Sequence, residues 1–415
     1  RHLKELALGR NKLDNINPQI WTLTGLEKLD LSDTGTKHVD AAISNLTHLK
    51  DLNLNSNKLD AIPHEIWSLT ELEKLNLGNI GIKHVDALIS KLSQLKELDL
   101  SENTLYTIPQ EILALADLEK LNLHNTGIEH VDSAITKLSL LRELNLKSNK
   151  IDTIPPHIWT LTELEKLCIR NTGLQDVVAA ISKLRKLKEL DLGGNKLDNI
   201  DPQIWTLTGL EKLDLSDTGT KHLNAAISNL THLKELNLNS NKLDTIPHEI
   251  WTLTELEKLN LGNTGIKDVD AAISKLSHLK ELDLGENTLS TIPREIWTLT
   301  ELEKLNLHNT GIRQVDTAIS ELSHLKELDL GENLLSTIPN EIWTLTELER
   351  LDLQKTGIKY VDLAITKLSH LRELDLKSNK IETIPPHICT LTELEKLIIP
   401  NTGIKDVHTS ISKLR

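Results

Sequence analysis

Aliphatic residues return at fixed places along the whole chain. The pattern L-x-x-L-x-L-x-x-(N/T)-x-(L/I)-x-x-(I/V) begins at Leu3 and recurs at Leu26, Leu49 and Leu72, every 23 residues, as far as Leu394. That makes 18 copies in residues 1–415. A period of about 20 to 50 residues signals a solenoid. Each unit buries its apolar side only on its neighbours, so the array forms one elongated core. Within a unit the L-x-L alternation (Leu52, Leu54; Leu75, Leu77) predicts a short strand with its leucines pointing inward.

The units come in two kinds that alternate, giving a true period of 46. An N-type unit reads LTHLKDLNLNSNKLDAIPHEIWS (46–68), and the T-type unit after it reads LTELEKLNLGNIGIKHVDALISK (69–91). Asn57 and its equivalents at 11, 103, 149, 195, 241, 287, 333 and 379 follow the strand. A buried Asn there can satisfy backbone groups of the adjacent coil. The T-type equivalent is Thr followed by Gly, with Ile80 as the exception. The glycine suggests a positive φ or a close approach. In N-type units Ile-Pro opens the return segment, and Pro suits the first turn of a short helix. In T-type units an Asp such as Asp86 is placed as a helix N-cap. Trp21, Trp67, Trp159, Trp205, Trp251, Trp297 and Trp343 share one N-type slot, filled by Leu113 and Cys389 in two other units. The T-type counterpart is small (Ser44, Ser90, Thr136), so the expectation is large–small packing of the outer layer.

These units resemble the leucine-rich repeat family, and the match covers the entire chain. The 23-residue unit with Ile-Pro-x-x-Ile is similar to intracellular members such as Ras-pathway scaffolds and Roco proteins. The resemblance implies an α/β fold: a curved, horseshoe-like leucine-rich repeat solenoid. A parallel sheet lies on its concave face, and short helices or turns lie on the convex face. It also implies protein binding through the concave face. The Thr-Gly units and the absence of Phe depart from the family pattern. Cysteine-rich caps, usual in extracellular members, are missing, which leads to the expectation of a cytoplasmic protein. The sequons at Asn45 and Asn229 keep a secreted origin open.

Composition narrows the partners. With 47 Lys and Arg against 61 Asp and Glu, the formal charge of -14 argues against nucleic acid and anionic membranes. No apolar run reaches the length of a transmembrane helix, so no membrane insertion is expected. Cys168 and Cys389 are far apart and give neither a disulfide framework nor metal-ligand spacing. No phosphate-binding glycine loop, nucleophile–base pairing or metal cluster is legible, so the expectation is no enzyme and no cofactor. His38, His84 and His130 recur in alternate units, roughly 10 Å apart from the strand spacing, too far to share a metal. The first residues already lie inside a repeat, and neither end carries a cap. The chain is therefore expected to be a piece of a longer protein whose terminal coils stack end to end.

Residues 1–68 match 185–252 with nine differences, and 161–185 resemble 391–415. An older block of units has been copied and extended. The array is expected to span 1–415 as one domain, with a possible seam near 168–190 between sub-arrays 1–184 and 185–415.

Outward strand positions form lateral rows. Two adjacent rows alternate in sign: Lys4, Glu27, Lys50, Glu73, and beside them Glu5, Lys28, Asp51, Lys74. Cross-strand ion pairs account for both. The next row is Ala7, Asp30, Asn53, Asn76, Asp99, Asn122, Asn145, Cys168, Asp191, Asp214, Asn237, Asn260, Asp283, Asn306, Asp329, Asp352, Asp375 and Ile398. Fifteen of its 18 residues are Asn or Asp, which are poor strand formers. Copying by repeat expansion, together with lateral bonds among them and to the adjacent Lys row, is one explanation. The other is a polar recognition strip for a protein partner with basic or amide groups, and those fifteen residues are the candidate site. Asp329, Asp352 and Asp375 are consecutive, and like charges at such spacing raise their pKa values. A third row is small or polar (Gly9, Ser32, Asn55, Gly78) and lacks the aromatic and Arg anchors of hot spots. The function expected is a non-enzymatic interaction scaffold. The alternatives are a sensor arm of a multidomain signalling GTPase or kinase, and an innate-immune recognition module.

Overall fold

A computed structural model describes residues 2–404 apart from 14, 152, 176–178, 198 and 290. The chain divides into two compact units, Arg1–Leu210 and Glu211–Arg415.

The first unit carries parallel three-residue strands from Glu5–Ala7 to Glu189–Asp191, and the second from Lys212–Asp214 to Lys396–Ile398. Within each, every strand pairs with the next at an offset of one repeat: Leu6 faces Leu29 and Leu29 faces Leu52, and in the second unit Leu213 faces Leu236. The central leucine always points inward, as in Leu29, Leu52, Leu213 and Leu236, all buried. The expected seam falls partly on 176–178, outside the described residues. Lys166–Cys168 and Glu189–Asp191 on either side of it pair in register, Leu167 opposite Leu190.

Among the described residues, each repeat from the first to the seventeenth returns through a five-residue 3-10 helix, for example His64–Ser68 and Ala87–Lys91. Five residues suit the tighter i→i+3 bonding better than an α-helix. The T-type caps form as expected: Asp86 is extended (φ -67, ψ 138), and its side chain accepts from Leu88 N at 2.9 Å. The prolines differ from expectation. Pro63 and its equivalents sit one position earlier, as the N-cap residue with no side-chain bond. Only Pro18, Pro156, Pro202 and Pro386 occupy the first helical position. A proline lacks the N–H that the first helical position leaves unpaired, yet it also fits the extended φ of the cap, and most units use the latter.

All seven tryptophans are buried, at 2% exposure or less. They fill the helical layer beside smaller T-type neighbours, so the packing explanation of the Trp slot holds. The indole Nε1 of Trp67, Trp159, Trp205, Trp297 and Trp343 has no hydrogen-bond partner.

The N-type asparagine joins units in one direction only. Asn241 Nδ2 donates to Leu215 O and Leu238 O, both at 2.8 Å. Its Oδ1 accepts from Thr218 N (3.1 Å), Thr218 Oγ1 (3.0 Å) and Thr220 N (3.1 Å). Leu215, Thr218 and Thr220 all belong to the preceding T-type unit. The T-type threonine does not reach back in the same way: Thr218 Oγ1 donates to its own Leu215 O and to Asn241. A T-type unit and the N-type unit after it therefore form the hydrogen-bonded module. Gly35, Gly127 and Gly265 after the threonines have φ of 75, 75 and 79, as their placement suggested.

Candidate functional site

The fifteen Asx residues occupy the last position of their strands, on the sheet face. Each uses Oδ1 in the same way, accepting from the backbone N–H two residues on. Asp30 takes Ser32 N at 2.8 Å, Asn76 takes Gly78 N at 2.9 Å, and Asp375 takes Lys377 N at 2.8 Å. The other twelve repeat this bond at 2.8–3.1 Å. An Asx turn thus ends each strand, which explains a poor strand former at every strand end. The residue three places after each Asx is left-handed, as Asp33, Ser56 and Glu102 are, with φ of 51, 56 and 55.

Because Oδ1 is committed, the second polar atom defines the row. Some of these atoms bond laterally: Asn122 Nδ2 donates to Asp99 Oδ2 at 3.0 Å and Asn237 Nδ2 to Asp214 Oδ2 at 2.9 Å. Strand register places Asp30 through Asp191 side by side in the first unit and Asp214 through Asp375 in the second.

The two charged rows pair across strands. Lys96 meets Glu73 at 2.8 Å, Lys280 meets Glu257 at 2.8 Å, and Lys304 meets Glu327 at 3.0 Å. The hydrogen bond from Lys280 and its charge hold Glu257 below the usual carboxylate range, against some desolvation. Most of these cations are therefore neutralised on the protein itself, and the uncompensated charge of the sheet face lies in the Asx row.

That charge concentrates in the second unit, where Asp329 faces Asp352 and Asp352 faces Asp375. Burial, then the charges of Asp329 and Asp375, push Asp352 up to about 6. Gln354 answers it with N–H at 2.8 Å and Nε2 at 3.1 Å. His308 stands between carboxylates, Nδ1 at 3.3 Å from Asp329 and Nε2 at 3.8 Å from Glu286. Gln354 and His308 belong to the small third row, which in the sequence drew attention for its lack of anchors. Gly331 makes room for them: a Cβ there would lie 2.9 Å from His308 Nδ1 and 3.0 Å from Gln354 Cγ. In the first unit Cys168 interrupts the row. Its thiol donates to Asp191 at 3.3 Å, and burial pushes it up to about 12, so it is no nucleophile.

Among the described residues, no group of three or more His, Cys, Asp or Glu is arranged to hold a metal ion, and no helix is long and apolar enough to cross a membrane.

A family model described as "Leucine-rich repeat region" matches residues 29–133, 83–199 and 202–329, and two further leucine-rich repeat models match 346–389 and 324–345. The chain belongs to the leucine-rich repeat family. Among solved structures, it is similar to a leucine-rich repeat protein of Leptospira interrogans, at 30% identity and a TM-score of 0.74, over 97% of this chain and 98% of that one. It also resembles the plant peptide hormone receptor RGFR1, solved with RGF2 (25% identity, TM-score 0.60, 99% and 77% covered). A third is TLR13, solved with ssRNA13 (26% identity, TM-score 0.64, 99% and 61% covered). No curated protein matches the chain. Leucine-rich repeat chains are typically interaction modules without chemistry of their own, and structural neighbours of this one include plant receptors.

Proposed function

We propose that this leucine-rich repeat chain is a non-enzymatic recognition scaffold whose sheet face holds a protein segment bearing Lys, Arg or amide side chains. The observation that carries the reading is the Asx row. Every Oδ1 serves the turn, so the outward atoms form a strip of carboxylate oxygens and amides, and Asp329, Asp352 and Asp375 stand consecutively at its end. A cation placed over that cluster would relieve the repulsion from Asp329 and Asp375 that adds to burial in raising Asp352. The plant receptor solved with RGF2 supports a polypeptide as the occupant. The acidity of the strip disfavours a polyanion such as the RNA solved with TLR13. The fold would serve equally as the sensor arm of a larger signalling protein or as an immune recognition module.

The test is fluorescence anisotropy of a labelled Lys/Arg-rich peptide against the chain and an Asp329→Asn/Asp375→Asn variant. Saturable binding that weakens with salt and drops about tenfold in the variant is the expected result. Equal binding by both proteins would remove the strip from the account.

A further inference from the structure

Leu334, Tyr360 and Leu363 are large, apolar and 56, 63 and 52% exposed. All three lie in the second unit, on the loop side between strand and helix. Leu334 follows the buried Asn333, Tyr360 follows the turn at Gly357, and Leu363 opens the helix Leu363–Lys367. Backbone contacts place these loops side by side. Leu334 N donates to Ile312 O at 2.9 Å, the Leu335 carbonyl lies 3.6 Å from where a Gly357 Cβ would be, and Lys380 N donates to Ile358 O at 3.0 Å.

The array itself says that the fold does not need these residues. At the position of Leu334 other units carry Lys58, Thr104 or Lys242. At that of Tyr360 they carry His84 or His222, and at that of Leu363 they carry Ala87 or Ala271. Three polar or small positions have turned apolar in neighbouring loops. Large exposed apolar residues drawn together mark interaction sites.

The charge beside them differs from the rest of the face. Arg313, Lys359 and Lys380 are exposed and, among the described residues, make no ion pair, whereas sheet-face cations such as Lys304 and Lys326 do. The carboxylates nearby are Asp362, which caps its own helix through Ala364 N at 2.7 Å, and the exposed Glu382. Equivalent exposed lysines such as Lys58, Lys83 and Lys242, which among the described residues also make no ion pair, recur along this edge, so in a chain of net charge -14 the loop edge is a cationic row.

We infer that this loop edge docks an acidic protein segment, with an apolar side chain seated among Leu334, Tyr360 and Leu363 and flanking carboxylates meeting Arg313, Lys359 and Lys380. The inference is independent of the sheet face, whose Asx strip calls for the opposite charge. Aromatic anchors rimmed by charge are the usual make-up of a hot spot.

The probe is a fluorescein-labelled peptide with Leu and Trp set among Glu residues, beside a control with Ser in place of the apolar residues. The acidic apolar peptide should bind saturably and the Ser control much more weakly. A Leu334→Lys/Tyr360→His/Leu363→Ala variant, which restores residues used elsewhere in the array, should keep its circular dichroism and bind at least about tenfold more weakly. Lys359→Glu/Lys380→Glu should also weaken binding and flatten its salt dependence. Asp329→Asn/Asp375→Asn should leave this binding intact. Equal affinity for the Ser control, or binding unchanged by the triple variant, overturns the inference.

Discussion

Replacing Asn241 by Ala should destabilise the array far more than the same change at Asn11. Asn241 is 1% exposed and serves five polar groups, Leu215 O, Leu238 O, Thr218 N, Thr218 Oγ1 and Thr220 N, at 2.8–3.1 Å. A buried group left without a partner costs about 1–3 kcal/mol. Not all five lose everything: Thr218 Oγ1 keeps Leu215 O at 2.9 Å, and the vacated volume admits some relaxation. A loss of about 3–4 kcal/mol is expected, near the upper end for single substitutions. Asn11 is exposed and bonds only within its own unit, to Leu8 O at 2.8 Å and Gly9 O at 3.4 Å. Its removal should cost below about 1 kcal/mol. Solenoid stability is a sum of local terms, so one global unfolding energy is a poor readout. Native-state hydrogen exchange at the Thr218 and Thr220 amides, whose acceptor is Asn241, reads the effect where it arises. Equal losses in the two variants, or unchanged protection at Thr218 and Thr220, would refute the claim that this side chain joins the T-type unit to its successor.

Three further outcomes follow from the same geometry. Asp352 has a folded pKa raised to about 6, above its ordinary 3.8, so its ionisation opposes folding: the penalty is absent below the ordinary value, grows as pH rises and is complete above about 6. Asp352→Asn keeps an Oδ1 that accepts from the Gln354 N–H and should stabilise the second unit by roughly 1–2 kcal/mol near neutral pH, after allowance for solvent screening, with little effect near pH 4; urea titrations at the two pH values check this. Trp205→Phe removes an indole N–H that has no partner, so its cost should stay within about 1 kcal/mol, against about 3–5 for Trp205→Ala. Glu102 is left-handed at φ 55 where the equivalent residue four repeats on is Gly194, so Glu102→Gly should raise stability by about 0.5–1 kcal/mol in thermal unfolding.

Much of the fold was legible because the repeat states each feature many times over. The leucine spacing gave strands and core, the Asn after each strand gave a buried link, and Thr-Gly gave a positive φ. The direction of the link was not legible: Asn and Thr hold equivalent positions, and only side-chain reach decides that Asn241 serves the preceding unit while Thr218 does not. The proline displacement escaped for a related reason, since one fixed φ suits both the cap and the first helical position. The Asx row was visible, but its reason was missed. From the sequence, a weak strand former here reads as copying, lateral bonding or recognition, whereas in the structure it bonds locally to the N–H two residues on. The signal was present: Asx at a strand end, then a small or polar residue two places on, then a left-handed turn. The apolar loop edge carries no motif, and it emerges only when Leu334, Tyr360 and Leu363 are brought together by the repeat geometry.

The most direct test of the recognition strip is carboxylate footprinting with and without a bound Lys/Arg-rich peptide, read by mass spectrometry. Protection should concentrate on Asp329, Asp352 and Asp375, while helix-capping carboxylates such as Asp86 and Asp270 label as before. Unchanged labelling of the three, with protection confined to the helical layer, would contradict the account.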